Sequence, residues 1–195
     1  MSLSSVKRTL GRQGIIRKRS PWKRWHFTLP KPEVEKPGDL IQIDTLHIVP
    51  GSFWKQPRFY VYALIDVFSR WAFAKVCLRI NAVRSLEFLK EAVSHSPFSF
   101  SMLQSDHGSE FSSWFTEQTE VLGFSHRHSR VRKPSDNGHV ERFIRTLQKE
   151  CFNSILQTFK SYQKAILGYL DYYNNERLHL GSQLTTPLKC VQAIG

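Results

Sequence analysis

From Asp39 the chain alternates apolar and polar positions at the two-residue period of a strand. The stretch DLIQIDTLHI sets Leu40, Gln42, Asp44 and Leu46 on one face and Ile41, Ile43 and Thr45 on the other. Two aromatic and β-branched runs follow, RFYVYALIDVFS and RWAFAKVCL, giving three successive strands. The period then changes. NAVRSLEFLKEAV has the helical spacing, with Val83, Leu86, Leu89 and Val93 as its apolar stripe. FSMLQSD returns to strand, SEFSSWFTEQTEVLG reads as a helix closed by Gly123, and FSHRHS as a short strand. After the loop RVRKPSDNG come two helical stretches between His139 and about Arg177. Strands in a meander, then strands alternating with helices, predict a mixed α/β sheet covered by helices.

Upstream, SLSSVKRTLGRQG predicts a short helix with serine N-cap candidates, Val6 and Leu10 on one face and Gly14 as its stop. Lys7, Arg8 and Arg12 point outward from it. The segment after it mixes cations, tryptophans and prolines and reads as an extended arm. Residues 1–36 hold ten Lys or Arg against two Glu, so +8 of the formal charge of +12 sits there. This excess favours a polyanionic partner, nucleic acid before acidic membrane; a solvated basic tail and a phosphate-binding arm both fit.

The 195 residues suffice for one core with appendages, and 41% hydrophobic with 23% charged content is ordinary for a folded domain. The domain reading is a basic N-terminal arm over 1–36, a core over 37–178 and a C-terminal extension of the core over 179–195. No apolar run reaches the length of a bilayer span, and the N-terminus lacks the pattern of a secretory signal, so the chain reads as intracellular. Cys77, Cys151 and Cys190 are odd in number and widely spaced, and read as reduced core residues.

Three acids stand out by placement. Asp44 lies inside the first strand, Asp106 where the fourth ends, and Glu141 near the start of GHVERFIRTLQKECF. Val140, Phe143 or Ile144, Leu147 and Cys151 form that helix's buried stripe, while Glu141, Arg145 and Gln148 share another face. Converging carboxylates require a dication, and oxygen-only ligands without Cys or His pairs favour Mg²⁺ or Mn²⁺ over zinc. Two such ions about 3.5–4 Å apart serve phosphoryl transfer. Each acid also has a structural reading: an edge-strand residue facing water for Asp44, an Asx turn before Gly108 for Asp106, and a surface partner of Arg145 for Glu141.

The segments PGDLIQIDT, YALIDVFSRWAFAKV, LQSDHGSEF, KPSDNGHVERFIRTLQKE and YYNNERLHLGSQLTTPLK, taken in order, resemble the DDE transposase and integrase superfamily. The likeness is to members with the retroviral-integrase-type catalytic core, especially transposases of bacterial insertion sequences, and it covers about residues 36–190. It implies a ribonuclease-H-like mixed five-stranded sheet flanked by helices. It implies Asp44, Asp106 and Glu141 as the catalytic carboxylates, binding two Mg²⁺ or Mn²⁺. The implied activity is metal-dependent cleavage of a DNA strand at a mobile-element end, followed by attack of its 3′-hydroxyl on target DNA. The implied partners are double-stranded DNA, both element ends and target, and further copies of the chain in a homodimer or higher assembly; the implied location is the bacterial cytoplasm at the nucleoid. Asp106 and Glu141 are separated by 34 residues, one fewer than is usual in the family. The basic head resembles the last helix of a helix-turn-helix domain without its earlier helices, so a fragment or truncated product is expected. A DNA-binding remnant that does not cut and a general nuclease of the same fold are the rival readings.

Further residues carry two readings. Asp66 reads as a turn cap near Ser69 and Arg70, and His107 as a solvated loop residue or one orienting a phosphate. Ser109 and Glu110 read as caps of the following helix rather than ligands. Asn137 and Gly138 suit either a plain turn or a loop that lets DNA approach. Arg130, Arg132, Lys133 and Arg145 are candidates for DNA backbone contacts. Tyr169, Tyr172 and Tyr173 fit a packing stripe better than base stacking.

Overall fold

The computed structural model describes residues 2–14, 30, 32–52, 57–130 and 134–193, in two units, Met1–Pro30 and Lys31–Gly195. In the first, helix α1 spans Leu3–Arg12. The Ser2 hydroxyl accepts from the Ser5 amide at 3.3 Å, and Gly14, at φ +69°, follows its end. This is the predicted cap and stop. Lys7, Arg8 and Arg12 are all exposed.

The second unit is built on strands β1 (Ile41–Ile48), β2 (Phe59–Asp66), β3 (Ala72–Cys77), β4 (Met102–Ser105) and β5 (Ser125–His128). They form one sheet in the order β3-β2-β1-β4-β5. The first three pair antiparallel, whereas β1–β4 and β4–β5 are parallel. Parallel neighbours need a crossover, and helices α2 (Ala82–His95) and α3 (Ser113–Val121) supply them. Helices α4 (Gly138–Thr146), α5 (Phe159–Asn175) and α6 (Pro187–Gln192) follow. β1 is therefore central, which removes the edge-strand reading of Asp44.

Both faces of the sheet are covered, so β2 is apolar at nearly every position. On one face Ile41, Ile43, Tyr62 and Leu64 pack with Leu86, Phe88, Leu89, Phe111 and Phe115. On the other, Phe59, Val61, Ala63 and Ile65 pack with Val140, Phe143, Leu147, Ile166 and Tyr173. The α4 stripe is buried as predicted. That of α2 is rotated: Leu86 and Leu89 are buried, Val83 is 53% exposed, and Ser85, Phe88 and Ala92 complete the buried face. Phe88 sets the rotation, its ring stacking on Tyr62 at 5.1 Å and Phe73 at 5.6 Å, because an aromatic ring buries more apolar area than a valine.

The helix predicted from Ser109 is divided. A 3₁₀ turn over Ser109–Phe111 ends at Ser112, whose extended backbone (ψ 175°) precedes α3. The break turns both Glu110 and Phe111 inward. α4 runs into a π-helical segment, Leu147–Cys151. The three cysteines are unpaired; Cys151 is buried in one core cluster and Cys77, partly buried, packs against the other, whereas Cys190 is in neither. Among the described residues no helix is long and apolar enough to cross a membrane.

Candidate active site

The sheet register brings two of the predicted acids side by side. Ile41 pairs with Leu103 and Gln42 with Gln104, and continuing that parallel register sets Asp44 beside Asp106. Asp44 is half-buried and its Oδ1 accepts from the Thr45 amide at 2.7 Å. Asp106 is exposed just past β4, where its Oδ1 accepts from the Gly108 amide at 2.9 Å. The Asx turn is thus present, and it holds the carboxylate at the strand end.

The inward turn of Glu110 adds a fourth acid, in place of the predicted helix cap. Glu110 is 7% exposed, and its Oε1 accepts from the Thr45 hydroxyl at 2.6 Å. Neither Gly108 nor Ser112 caps the helix it precedes with a side chain. Gly108 has a steric reason: a Cβ there would lie 2.7 Å from Glu110 Oε2 and 3.0 Å from Asp106 Oδ1. Glu141, half-buried, is brought in by the first turn of α4. That turn rests on β1 through Gln42, whose Oε1 accepts from the amides of His139 and Val140 at 3.0 and 3.1 Å.

The four carboxyls share one field. The Asp44 carboxyl is pushed up to about 7, chiefly by burial, with the Thr45 amide opposing and the like charges of Asp106, Glu141 and Glu110 adding to the rise. Among the described residues no three His, Cys, Asp or Glu side chains are drawn together closely enough to hold a metal ion. The arrangement is thus a set of all-oxygen donors in which three acids oppose the ionisation of Asp44.

The flanking residues divide clearly. Asp66 is a turn cap: its Oδ2 accepts from the Ser69 amide (2.7 Å) and hydroxyl (2.6 Å), and its Oδ1 from the Gly38 amide at 3.0 Å. His107 is exposed and stacks on His128 at 4.9 Å. His128 Nδ1 lies 2.7 Å from the Asp106 carbonyl and so donates to it. Behind it, His126 bridges Thr116 Oγ1 (2.7 Å) and Ser105 Oγ (3.0 Å); burial and then His128 push its imidazole down to about 4. The alternating histidines of SHRHS, one strand from Asp106, were the overlooked signal for this support.

Of the predicted DNA contacts, Arg145 is exposed on α4. Arg130 is engaged: its Nε and Nη2 donate to the Asp136 carboxylate at 2.7 and 2.8 Å. Arg132 and Lys133 lie outside the described residues. Asn137 is buried, with its Oδ1 lacking a hydrogen-bond partner among the described residues, and Gly138 faces open space. Tyr173 is buried, Tyr169 packs beside it, and Tyr172 is 43% exposed.

The sequence profile described as Integrase core domain matches residues 34–134, just over half of the chain, and a second profile of the same description matches 122–187. The chain belongs to the integrase core domain family. It is 27% identical over 190 residues to the transposase for insertion sequence element IS904 of Lactococcus lactis, covering 89% of this chain and 74% of that one. It is also 27% identical over 180 residues to the ORF3 protein of Spiroplasma virus SpV1-C74, covering 83% of this chain and 49% of that one. The chain thus spans about half the length of the viral relative. The integrase core fold recurs in the intasome of simian T-cell lymphotropic virus, with a TM-score of 0.67 at 19% identity over 90% of this chain and 61% of that one. It recurs also in the HTLV-2 integrase catalytic core domain solved in complex with magnesium, with a TM-score of 0.61 at 17% identity over 80% of this chain and 97% of that one. The sheet order and flanking helices are those of this ribonuclease-H-like core.

Proposed function

We propose that this chain is the catalytic core of a transposase or integrase that cuts a DNA strand at a mobile-element end and joins it to target DNA, with Asp44, Asp106 and Glu141 as its catalytic carboxylates. The observation that carries this reading is the shared field at Asp44: a carboxyl on the central strand, pushed up to about 7 by burial and by Asp106, Glu141 and Glu110 together. A buried carboxyl whose ionisation is opposed by neighbouring acids is relieved by a hard dication, and the donors here are all carboxylate oxygens. Mg²⁺ or Mn²⁺ held by Asp44, Asp106 and Glu141 would supply activation of the attacking oxygen and stabilisation of the leaving one.

The chain's own residues have separable tasks. Asp44 and Asp106 are aimed by adjacent strands, so their separation is fixed by sheet register. Glu141 rides on a helix, and its distance from the other two depends on how that helix begins. Thr45 holds Glu110 beside the pair, and Gly108 leaves it room, without placing it in the catalytic set. Arg145 on α4 and Lys7, Arg8 and Arg12 on α1 offer exposed cations for the phosphate backbone, which sets affinity without reading sequence. Joining two ends to a target requires two such sites, hence at least a dimer.

The test is an oligonucleotide cleavage and strand-transfer assay carrying the flanking element's termini, with Mg²⁺ or Mn²⁺ added or chelated. Asp44→Asn, Asp106→Asn and Glu141→Gln are each expected to lower divalent-dependent cleavage by at least about 100-fold while leaving DNA binding within a few fold. Undiminished cutting by any pure variant overturns that residue's role. Calorimetric titration with Mn²⁺ separates this reading from a DNA-binding remnant, which would show no heat attributable to the three acids. Cutting without preference for element ends would identify a general nuclease.

A further inference from the structure

Two glutamines occupy positions where a core would ordinarily place apolar side chains. Gln42 and Gln104 are each 2% exposed. They sit two residues before Asp44 and Asp106 and pair directly across β1 and β4. Because strand side chains repeat every second residue, the Gln42 amide projects from the same face of β1 as Asp44, and Gln104 lies in β4 two residues before Asp106, which sits just past that strand.

Both amides converge on one turn. Gln42 Nε2 and Gln104 Nε2 donate to the same acceptor, the Asp136 carbonyl, each at 2.5 Å. Gln42 Oε1, as described above, accepts from the His139 and Val140 amides, so one side chain grips the turn from both ends. The network also fixes the orientation of Gln42, since flipping its amide would set N–H against N–H and oxygen against oxygen. Asp136 is held from the third side by Arg130, which donates through its main-chain N (3.1 Å) as well as its guanidinium; the Asp136 side chain is only 7% exposed. The residue after Val140 is Glu141.

We infer that Gln42 and Gln104 are positioning residues for Glu141, forming a paired-amide clamp that fixes where α4 starts relative to the strands carrying Asp44 and Asp106. This rests on the catalytic reading of the three acids. Mere filling of the core does not explain the pair: burying an amide costs free energy unless it is fully hydrogen-bonded, and a methionine of similar volume would fill the same space. The four bonds described above go to the main chain of one turn, the turn that decides the approach of the third acid. The catalytic strands thereby aim two acids directly and the third through their own preceding residues.

The test uses the full chain and pairs Gln42→Met with Gln104→Met. Gln104→Met removes one of two donors to the Asp136 carbonyl, whereas Gln42→Met also releases the His139 and Val140 amides. Hydrogen exchange of metal-free protein is expected to show protection at those amides falling at least about tenfold in Gln42→Met, with β2 and α5 unchanged. Cleavage kcat is expected to fall by about 10- to 100-fold in Gln42→Met and a few fold in Gln104→Met, with KM for DNA unchanged. Should Gln42→Met fail to fold, the same readouts on Gln104→Met decide. Wild-type kcat alongside exposed amides, or unaltered exchange in both variants, overturns the clamp, while a KM rise with kcat intact overturns the positioning role. Glu141→Gln is run in parallel: if it cuts at the wild-type rate, the reading of the site falls and the clamp's role with it; if it is dead while Gln42→Met keeps full kcat, the clamp alone falls.

Discussion

A carboxyl in the middle of a central strand resists ionisation, and at Asp44 the neighbouring acids make it more costly still. Its carboxyl rises from 3.8 to about 7 on folding. Between about pH 4 and pH 7 the native protein therefore keeps a proton that the unfolded chain has lost, so stability falls as pH rises across that window and levels off above it. Asp44→Asn removes the titration. The metal-free variant is expected to be more stable than wild type at pH 8, by about 2–3 kcal/mol after allowance for partial solvent access, and the gap should close near pH 4. Urea unfolding with a chelator at pH 4, 6 and 8 measures this; a variant less stable than wild type at pH 8 contradicts the origin assigned to the shift. At this scale the sequence displayed Asp44, Asp106, Glu141 and the Asp66 cap by type and position. It did not display the inward turn of Glu110, because that depends on the chain breaking at Ser112, where neither composition nor periodicity changes.

At the scale of elements, the sheet needed more than its strands. β3 is an edge strand, and α5 pairs with the main-chain groups of its first residue. Asn174 Oδ1 accepts from the Ala72 amide and its Nδ2 donates to the Ala72 carbonyl, both at 2.9 Å. Nearby, Arg177 donates to both Glu150 oxygens at 2.9 and 2.7 Å, and the Tyr169 hydroxyl donates to Glu150 Oε2 at 2.6 Å. Asn174→Ala leaves two buried main-chain groups unpaired and is expected to destabilise the fold by about 2–4 kcal/mol in urea unfolding, without changing the divalent dependence of cleavage. A loss below about 0.5 kcal/mol would mean that water or relaxation satisfies both groups. Tyr169 and Tyr173 were legible as packing, whereas Tyr172 of the same predicted stripe is exposed. The role of the neighbouring asparagine was not legible, since its partner lies 102 residues away.

At the scale of the whole molecule, the charge is concentrated where the first unit offers Lys7, Arg8 and Arg12 to solvent. Each cation that neutralises a DNA phosphate releases counterions and steepens the fall of affinity with salt. Replacing all three by Gln is expected to weaken DNA binding at low salt and to reduce the slope of log K against log salt by up to about 3. Fluorescence anisotropy over a salt series reads the slope, and an unchanged slope removes α1 from the DNA interface. Arg130 belongs to a different class: its guanidinium is tied to Asp136, so its substitution should disturb the Glu141 turn rather than the salt dependence.

Local periodicity determined the order of strands and helices, the faces of β1 and the buried stripe of α4, because a residue's direction along a strand or helix follows from its number in the repeat. Residue types and their order also carried the family. Tertiary structure alone made β1 central, set Gln42 opposite Gln104, turned Glu110 toward Thr45 and committed Arg130 to Asp136. Each of these is a pairing between distant segments, chosen by which apolar faces bury together and which main-chain groups then still require a partner.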